Sequence, residues 1–177
     1  MRTIAIMLLL ALLPASRFEA AAQPWSIGAY QSYKGVGVTV LKDRQGDFRS
    51  LTLVADMPAV FAGRSSVPGV KLEYSSNFRI VDLPSSDTQR MFLYAGSGVS
   101  AGWLQDYKNP RFGFEAALTG NFGIRTDFAR GVVLTFGISL EAGAFIHREE
   151  DGTKVSIYRN GFRGGLYPYL TIAYKFK

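Results

Sequence analysis

The side chains best suited to catalysis lie close together late in the chain. The single histidine, His147, is followed by a run of charged residues that includes Glu149, and Ser156 comes shortly afterwards. A histidine with a carboxylate and a hydroxyl within reach could perform acid–base or nucleophilic chemistry. His147, Glu149 and Ser156 are therefore the catalytic candidates. We favour the plainer interpretation that this run is a solvated strand end leading into a turn, and expect no catalytic residue.

Composition excludes several other kinds of chemistry. The chain has no cysteine, which excludes disulfides, thiolate zinc sites and a lipid-modified cysteine. One histidine with irregularly spaced acids does not match a metal-ligand pattern, so we expect no metal and no cofactor. The net charge is +6, but the arginines are scattered singly and lie near the ends of apolar stretches. Nucleic-acid binding would need a clustered patch, whereas scattered cations suit membrane interfaces with anionic head groups.

The first residues predict export. Arg2 supplies a positive charge, residues 4–15 are an apolar run, and residues 20–22 are three alanines. This arrangement is typical of a cleaved secretory signal peptide and is too short for a membrane-spanning helix. We therefore expect a signal peptide at 1–22 and one mature domain at 23–177.

Alternating hydrophobicity is the main signal for structure. From Val132 to His147 the even positions are all apolar, and most odd positions are small or polar. A period of two over that length indicates a long β-strand rather than a helix. The same reasoning predicts strands at about 34–42, 48–57, 69–81, 90–105, 111–125, 131–147 and 166–176. A bacterial barrel with both chain ends in the periplasm needs an even number of strands. The eighth strand is therefore either Lys154–Asn160 or Trp25–Tyr33.

The composition of the two rows indicates which one faces outward. The polar row is mostly Gly, Ser, Ala and Thr, which fits a narrow barrel lumen better than a water-exposed surface. The apolar row carries no charge, and aromatic residues gather near the ends of the runs. The fold class is therefore all-β, an antiparallel up-and-down transmembrane β-barrel of eight strands. A soluble calyx of the lipocalin type, with the two rows inverted, is the structural alternative.

Charged residues on the predicted inward row form a second candidate site. Buried charges must be paired, because desolvation of each costs several kcal/mol. We expect an ion-pair network that fills the lumen, with a proton or small-ion path as the alternative; eight strands leave no open channel. The expected members are Lys71, Glu73, Arg79, Glu115, Arg125, Glu141 and Lys175.

The last strand carries a recognisable pattern. Apolar residues alternate back from Phe176 through Tyr174, and this resembles the C-terminal signature of bacterial outer-membrane barrels. Residues 94–99, Tyr-Ala-Gly-Ser-Gly-Val, are similar to strands of small barrels of that class. The resemblance implies a small barrel of about eight strands in the cell outer membrane, with membrane lipid as a partner. It also implies that Tyr174 and Phe176 are an assembly signal read by the barrel-assembly machinery.

The sequence leaves three hypotheses for function. The first is a non-enzymatic outer-membrane barrel that is structural or binds a partner or ligand through its outer loops. The second is a lipid-modifying enzyme, such as a lipid A acylhydrolase, that uses His147, although the His-x-Ser-Asn run of such enzymes does not occur here. The third is a soluble secreted calyx for an apolar ligand.

Overall fold

The computed structural model describes residues 25–44, 46–63, 65–105, 112–149, 152–157 and 165–176. The expected signal peptide lies outside these residues. The elements are β1 (Trp25–Ser32), β2 (Gly35–Arg44), β3 (Asp47–Asp56), α1 (Pro58–Phe61), β4 (Gly69–Asp82), β5 (Gln89–Gln105), β6 (Phe112–Phe128), β7 (Val132–Glu149), β8 (Gly152–Ile157) and β9 (Leu166–Phe176).

Eight of these strands close into an antiparallel barrel. Strands β1 to β7 pair in sequence order, and β9 closes the ring between β7 and β1. When paired residues are followed from strand to strand once around the ring, the path starts at Leu134 of β7 and returns to β7 at Ala144. The shear number of the barrel is therefore ten. That shear corresponds to a strand tilt of about 40° and a backbone radius of about 8 Å. The predicted all-β architecture, an antiparallel up-and-down barrel of eight strands, is confirmed.

Both candidates for the eighth strand contain strand residues, but only one supplies a barrel strand of its own. Trp25–Ser32 pairs with β2 on one side and with β9 on the other. In the other candidate segment, β8 pairs with the last six residues of β7, while β9 pairs with its first nine. Strands β9 and β8 therefore lie one after the other along the same edge of β7. Strand β9 belongs to the closed ring, and β8 continues the pairing along β7 beyond it.

The two ends of the barrel differ in their connections. Trp25 of β1 lies opposite Phe176 of β9, so both described termini are at one end, which we call the terminal end. The connections there are short, at 45–46, 83–88 and 129–131. The opposite, loop end carries the 33–34 turn and the 57–68 connection with α1. The Met57 amide donates to the Lys34 carbonyl at 2.8 Å, which fixes that connection against the turn.

Candidate functional site: the outer belt and the lumen

The apolar rows of the strands face outward around the ring. Val38 is 57% exposed and Leu118 is 69% exposed, although each lies in the middle of a strand. Among the described strand residues, the outward-facing positions between the two aromatic rims carry no charge. We call these positions the belt. Its large members include Ile27, Val36, Val38, Leu51, Leu53, Leu72, Tyr74, Val99, Leu118, Phe122, Phe136, Ile138, Leu170 and Ile172.

Aromatic side chains mark both edges of the belt. At the terminal end, Trp25 lies opposite Phe176, and the exposed Phe128 ends β6. At the loop end, Trp103 of β5 lies opposite Phe114 of β6, and both are exposed. Aromatic residues at two levels, with an uncharged apolar surface between them, are typical of a transmembrane barrel.

The inward row contains many small polar side chains, as the sequence indicates, together with a cluster of larger buried residues that includes Leu41, Phe48 and Phe92. Buried inward positions include Thr39, Thr52, Ser75, Ser100 and Thr119. A soluble calyx needs the opposite arrangement, with apolar side chains lining the interior and polar side chains on the outside. The exposure pattern therefore does not fit the calyx alternative.

One set of buried charges lies near the terminal end. Arg125, 1% exposed, is 2.7 Å from Asp43 and 2.7 Å from Asp127, and Lys175 lies 2.7 Å from Asp43. Two acids and two bases from three non-adjacent strands therefore form a balanced group, the terminal-end cluster. The Arg125 guanidinium also lies 4.6 Å from the ring centre of Phe48, an arrangement that favours a desolvated cation.

A second set of charges lies nearer the loop end. Glu141, 1% exposed, accepts from Lys34 at 2.5 Å and from Lys71 at 3.1 Å. Lys71 is also 2.6 Å from Glu73. These four residues are the loop-end cluster. The Ser100 hydroxyl adds a donor to Glu141 at 2.6 Å, so the buried carboxylate is held by several charge-assisted bonds.

An uncharged layer separates the two clusters. The hydroxyls of Tyr94 and Tyr169 are hydrogen-bonded across the lumen, and the Tyr30 ring stacks on Tyr169 at 5.7 Å. Gly137 lies beneath this pair, where an added Cβ would come within 2.5 Å of the Tyr94 hydroxyl. A polar cavity of about 30 Å³ remains, lined mainly by hydroxyl and amide side chains, and has room for one or two waters. The described side chains therefore leave little open space at this level of the lumen.

The seven predicted lumen charges all face inward, but they do not form one network. Lys71, Glu73 and Glu141 belong to the loop-end cluster, and Arg125 and Lys175 belong to the terminal-end cluster. Arg79 pairs with Asp82 at 3.2 Å, outside both clusters, and Glu115 is buried closer to the loop end.

Sequence reasoning missed three members of the two clusters. Lys34 lies in a turn, and Asp43 and Asp127 lie near strand ends, next to turn residues. Asp43 and Asp127 do continue the inward rows of their strands, so the period of two could have found them. The position of Lys34 gives no such signal, because alternation does not extend through a turn.

The catalytic candidates do not form a described site. His147 faces inward at 5% exposure, with its ring 5.4 Å from that of Phe145, so the expectation of a solvated residue is wrong. Packing beside Phe145 and against Gly113 of β6 overrides its position near a strand end. The side chains of Glu149 and Ser156 lie outside the described residues. Within the described ranges, no group of three or more His, Cys, Asp or Glu residues could hold a metal ion.

The predicted assembly-signal residues lie together on the outer face of β9. Tyr174 and Phe176 are both exposed, and their rings meet edge to face at 5.5 Å between centres. Trp25 lies opposite Phe176 across the seam between β1 and β9. The two residues therefore present an aromatic surface beside the seam where the barrel closes.

Comparison with known proteins supports the fold. The chain is similar to the crystal structure of the N-terminal β-barrel domain of Pseudomonas aeruginosa OprF, with a TM-score of 0.53 and 11% sequence identity. The similarity covers 87% of this chain and 98% of that domain. The chain therefore has the fold of a small eight-stranded β-barrel. No protein-family profile and no curated protein sequence matches it. None of the described helices is long and apolar enough to cross a membrane.

Proposed function

We propose that this protein is an integral β-barrel of the outer membrane, without enzymatic activity, that is structural or binds a partner or ligand through the loops at its loop end. The belt is the observation that carries the proposal. Soluble monomers rarely expose contiguous apolar patches above a few hundred Å², because water disfavours such surfaces. Here large apolar side chains are exposed on every strand of the ring, so lipid is the environment that suits them.

The dimensions of the barrel agree with this environment. Strand β9 has 11 residues and runs from Leu166, towards the loop end, to Phe176 in the aromatic rim of the terminal end. At a tilt of about 40°, such a strand rises roughly 26 Å, close to the ~25 Å apolar band of transmembrane barrels.

The topology supports one orientation in the membrane. An exported chain reaches the outer membrane from the periplasm, and barrels of this class have short periplasmic turns and longer external loops. The terminal end has the short turns, while the loop end has the 57–68 connection and α1. We therefore assign the terminal end to the periplasm and the loop end to the exterior.

The contents of the lumen support a role other than transport. Two ion clusters and a tyrosine layer occupy the interior, and the described cavity of about 30 Å³ has room for one or two waters. A porin needs a wide aqueous lumen, which eight strands cannot enclose. The described surface at the loop end is then the part of the protein available to a partner.

Fractionation tests the proposal. We expect the full chain, expressed in a Gram-negative host, to remain with outer membranes after a salt wash and to be released only by detergent. On unheated gels it should migrate as a compact band that shifts after boiling, because a closed barrel resists detergent at low temperature. Recovery of the folded protein in the aqueous periplasmic fraction would contradict the membrane assignment.

A further inference from the structure

A row of three residues crosses the outward face at the terminal-end edge of the belt. Trp25 of β1 lies opposite Lys42 of β2, and Lys42 lies opposite Arg49 of β3. The Lys42 ammonium is 5.1 Å from the centre of the Trp25 ring, and Arg49 is exposed. An indole and two cations are therefore held side by side on rigid strands.

This pairing contrasts with the neighbouring one on the same hairpin. At the hairpin tip, Arg44 lies opposite Asp47, so opposite charges meet across the strands. One row further into the barrel, the register places two cationic residues, Lys42 and Arg49, opposite each other. Like charges directly opposite each other on a sheet are destabilising, whereas an anion between them would convert the repulsion into two charge-assisted bonds. The arrangement of Lys42 and Arg49 suits an anionic ligand.

The surroundings of the pair indicate the kind of anion. The next outward row towards the middle of the barrel is Val40 opposite Leu51, which belongs to the belt. On the far side of Arg49 lies the exposed Ser76 of β4, whose hydroxyl could donate to a further oxygen. Apolar surface on one side and cations, an indole and a hydroxyl at the edge match the acyl chains and phosphate of a lipid.

Charge favours an anionic lipid over a zwitterionic one. The outward face of the hairpin carries Lys42, Arg44 and Arg49 against the single acid Asp47. One lipid phosphate would neutralise only part of this excess. The remaining positive charge repels the ammonium group of a zwitterionic headgroup and attracts a second negative charge.

We propose that Lys42 and Arg49 bind the phosphate of an anionic phospholipid in the leaflet at the terminal end, with Trp25 packed beside the headgroup. This inference rests on the proposed membrane location. It assigns a lipid of defined charge to the hairpin of β2 and β3, and Arg90 and Arg130, elsewhere at the terminal end, do not take part.

The two tryptophans of the chain allow a direct test. Trp25 adjoins the proposed site, while Trp103 is exposed at the opposite edge of the belt. The full chain would be purified in detergent and reconstituted into phosphatidylcholine vesicles. In one preparation a minor fraction of the lipid would be brominated phosphatidylglycerol, and in the other it would be brominated phosphatidylcholine. Both lipids would carry bromine near the headgroup end of their acyl chains. Trp103→Phe reports quenching at Trp25 alone, and Trp25→Phe reports quenching at Trp103 alone.

We expect brominated phosphatidylglycerol to quench the fluorescence of Trp25 more strongly than brominated phosphatidylcholine does. At Trp103 the two lipids should quench equally. Each cation near the lipid surface is worth about fivefold in affinity, so Lys42→Gln combined with Arg49→Gln should remove the preference. The matched control, Arg90→Gln combined with Arg130→Gln, removes two cations from other strands or turns of the terminal end and should retain it.

Three results would overturn this site. They are equal quenching of Trp25 by the two lipids, a preference that survives the Lys42 and Arg49 substitutions, and a preference lost equally in the Arg90 and Arg130 control. Failure of either lipid to quench either tryptophan would instead show that the chain is not inserted. That result would contradict the proposed function, and this site with it.

Discussion

The two ion clusters inside the barrel both consist of acids paired with bases, but their charged side chains differ in exposure to water. In the loop-end cluster, Lys71 and Glu141 are each 1% exposed, and Glu141 is held by two cations. In the terminal-end cluster only Arg125 is buried to that degree, while Asp43 and Lys175 are 18% and 25% exposed. Water and salt weaken an ion pair in proportion to its exposure, so the two clusters should differ in what they contribute to stability.

The clusters also connect different parts of the molecule. The terminal-end cluster joins β2, β6 and β9 across the lumen, beside the seam where β9 meets β1. The loop-end cluster joins Lys34 of a connecting turn to β4 and β7. We infer that the terminal-end cluster stabilises the closed ring and that the loop-end cluster holds the 33–34 turn against it.

The largest expected effect is at Glu141. Glu141→Gln leaves the buried Lys71 and the partly buried Lys34 with Glu73 as the remaining acid of the cluster. We expect a loss of about 3–5 kcal/mol in the free energy of unfolding, because an uncompensated buried charge remains. Urea titration in detergent, read by the heat-modifiable gel shift, measures it.

A second substitution tests whether the loop-end cluster acts as a unit. Adding Lys34→Met to Glu141→Gln removes the one excess cation, leaves Lys71 paired with Glu73, and should recover part of the lost stability. If the double variant is less stable than Glu141→Gln alone, Lys34 and Glu141 are not coupled in the way that their 2.5 Å contact indicates.

The smaller expected effect is at Lys175. Lys175→Met should lower the free energy of unfolding by less than about 1 kcal/mol, because the side chain is partly exposed and Arg125 still faces Asp43 and Asp127. The same change at the buried Lys71 should cost several times more, and high salt should reduce only the Lys175 effect. Equal losses at Lys71 and Lys175 would remove the distinction between the clusters.

Much of this architecture could be predicted from the sequence. Alternation located seven strands to within a few residues, because a period of two persists wherever one face meets lipid and the other a packed lumen. Row composition gave the orientation of those faces, since small polar residues suit a narrow interior.

The arrangement of the charges could not be predicted in the same way. Alternation assigns a residue to a face but not to a height in the barrel, and the shear of ten residues decides which charges meet. The sequence therefore predicted one network, whereas the described ion pairs of the lumen fall into two clusters. The sequence also did not show that β8 shares one edge of β7 with β9, because alternation predicts a strand but not the edge along which it pairs.

Two valines of nearly equal exposure test the central claim that lipid covers the belt. Val38 of the belt is 57% exposed, and Val67 in the 57–68 connection is 59% exposed. In phospholipid vesicles, Val38→Arg should lower the free energy of unfolding by about 2–4 kcal/mol, since it places a charge in hydrocarbon, while Val67→Arg should change it by less than about 0.5 kcal/mol. Equal, small effects at both positions would mean that water surrounds the belt and would contradict the membrane assignment.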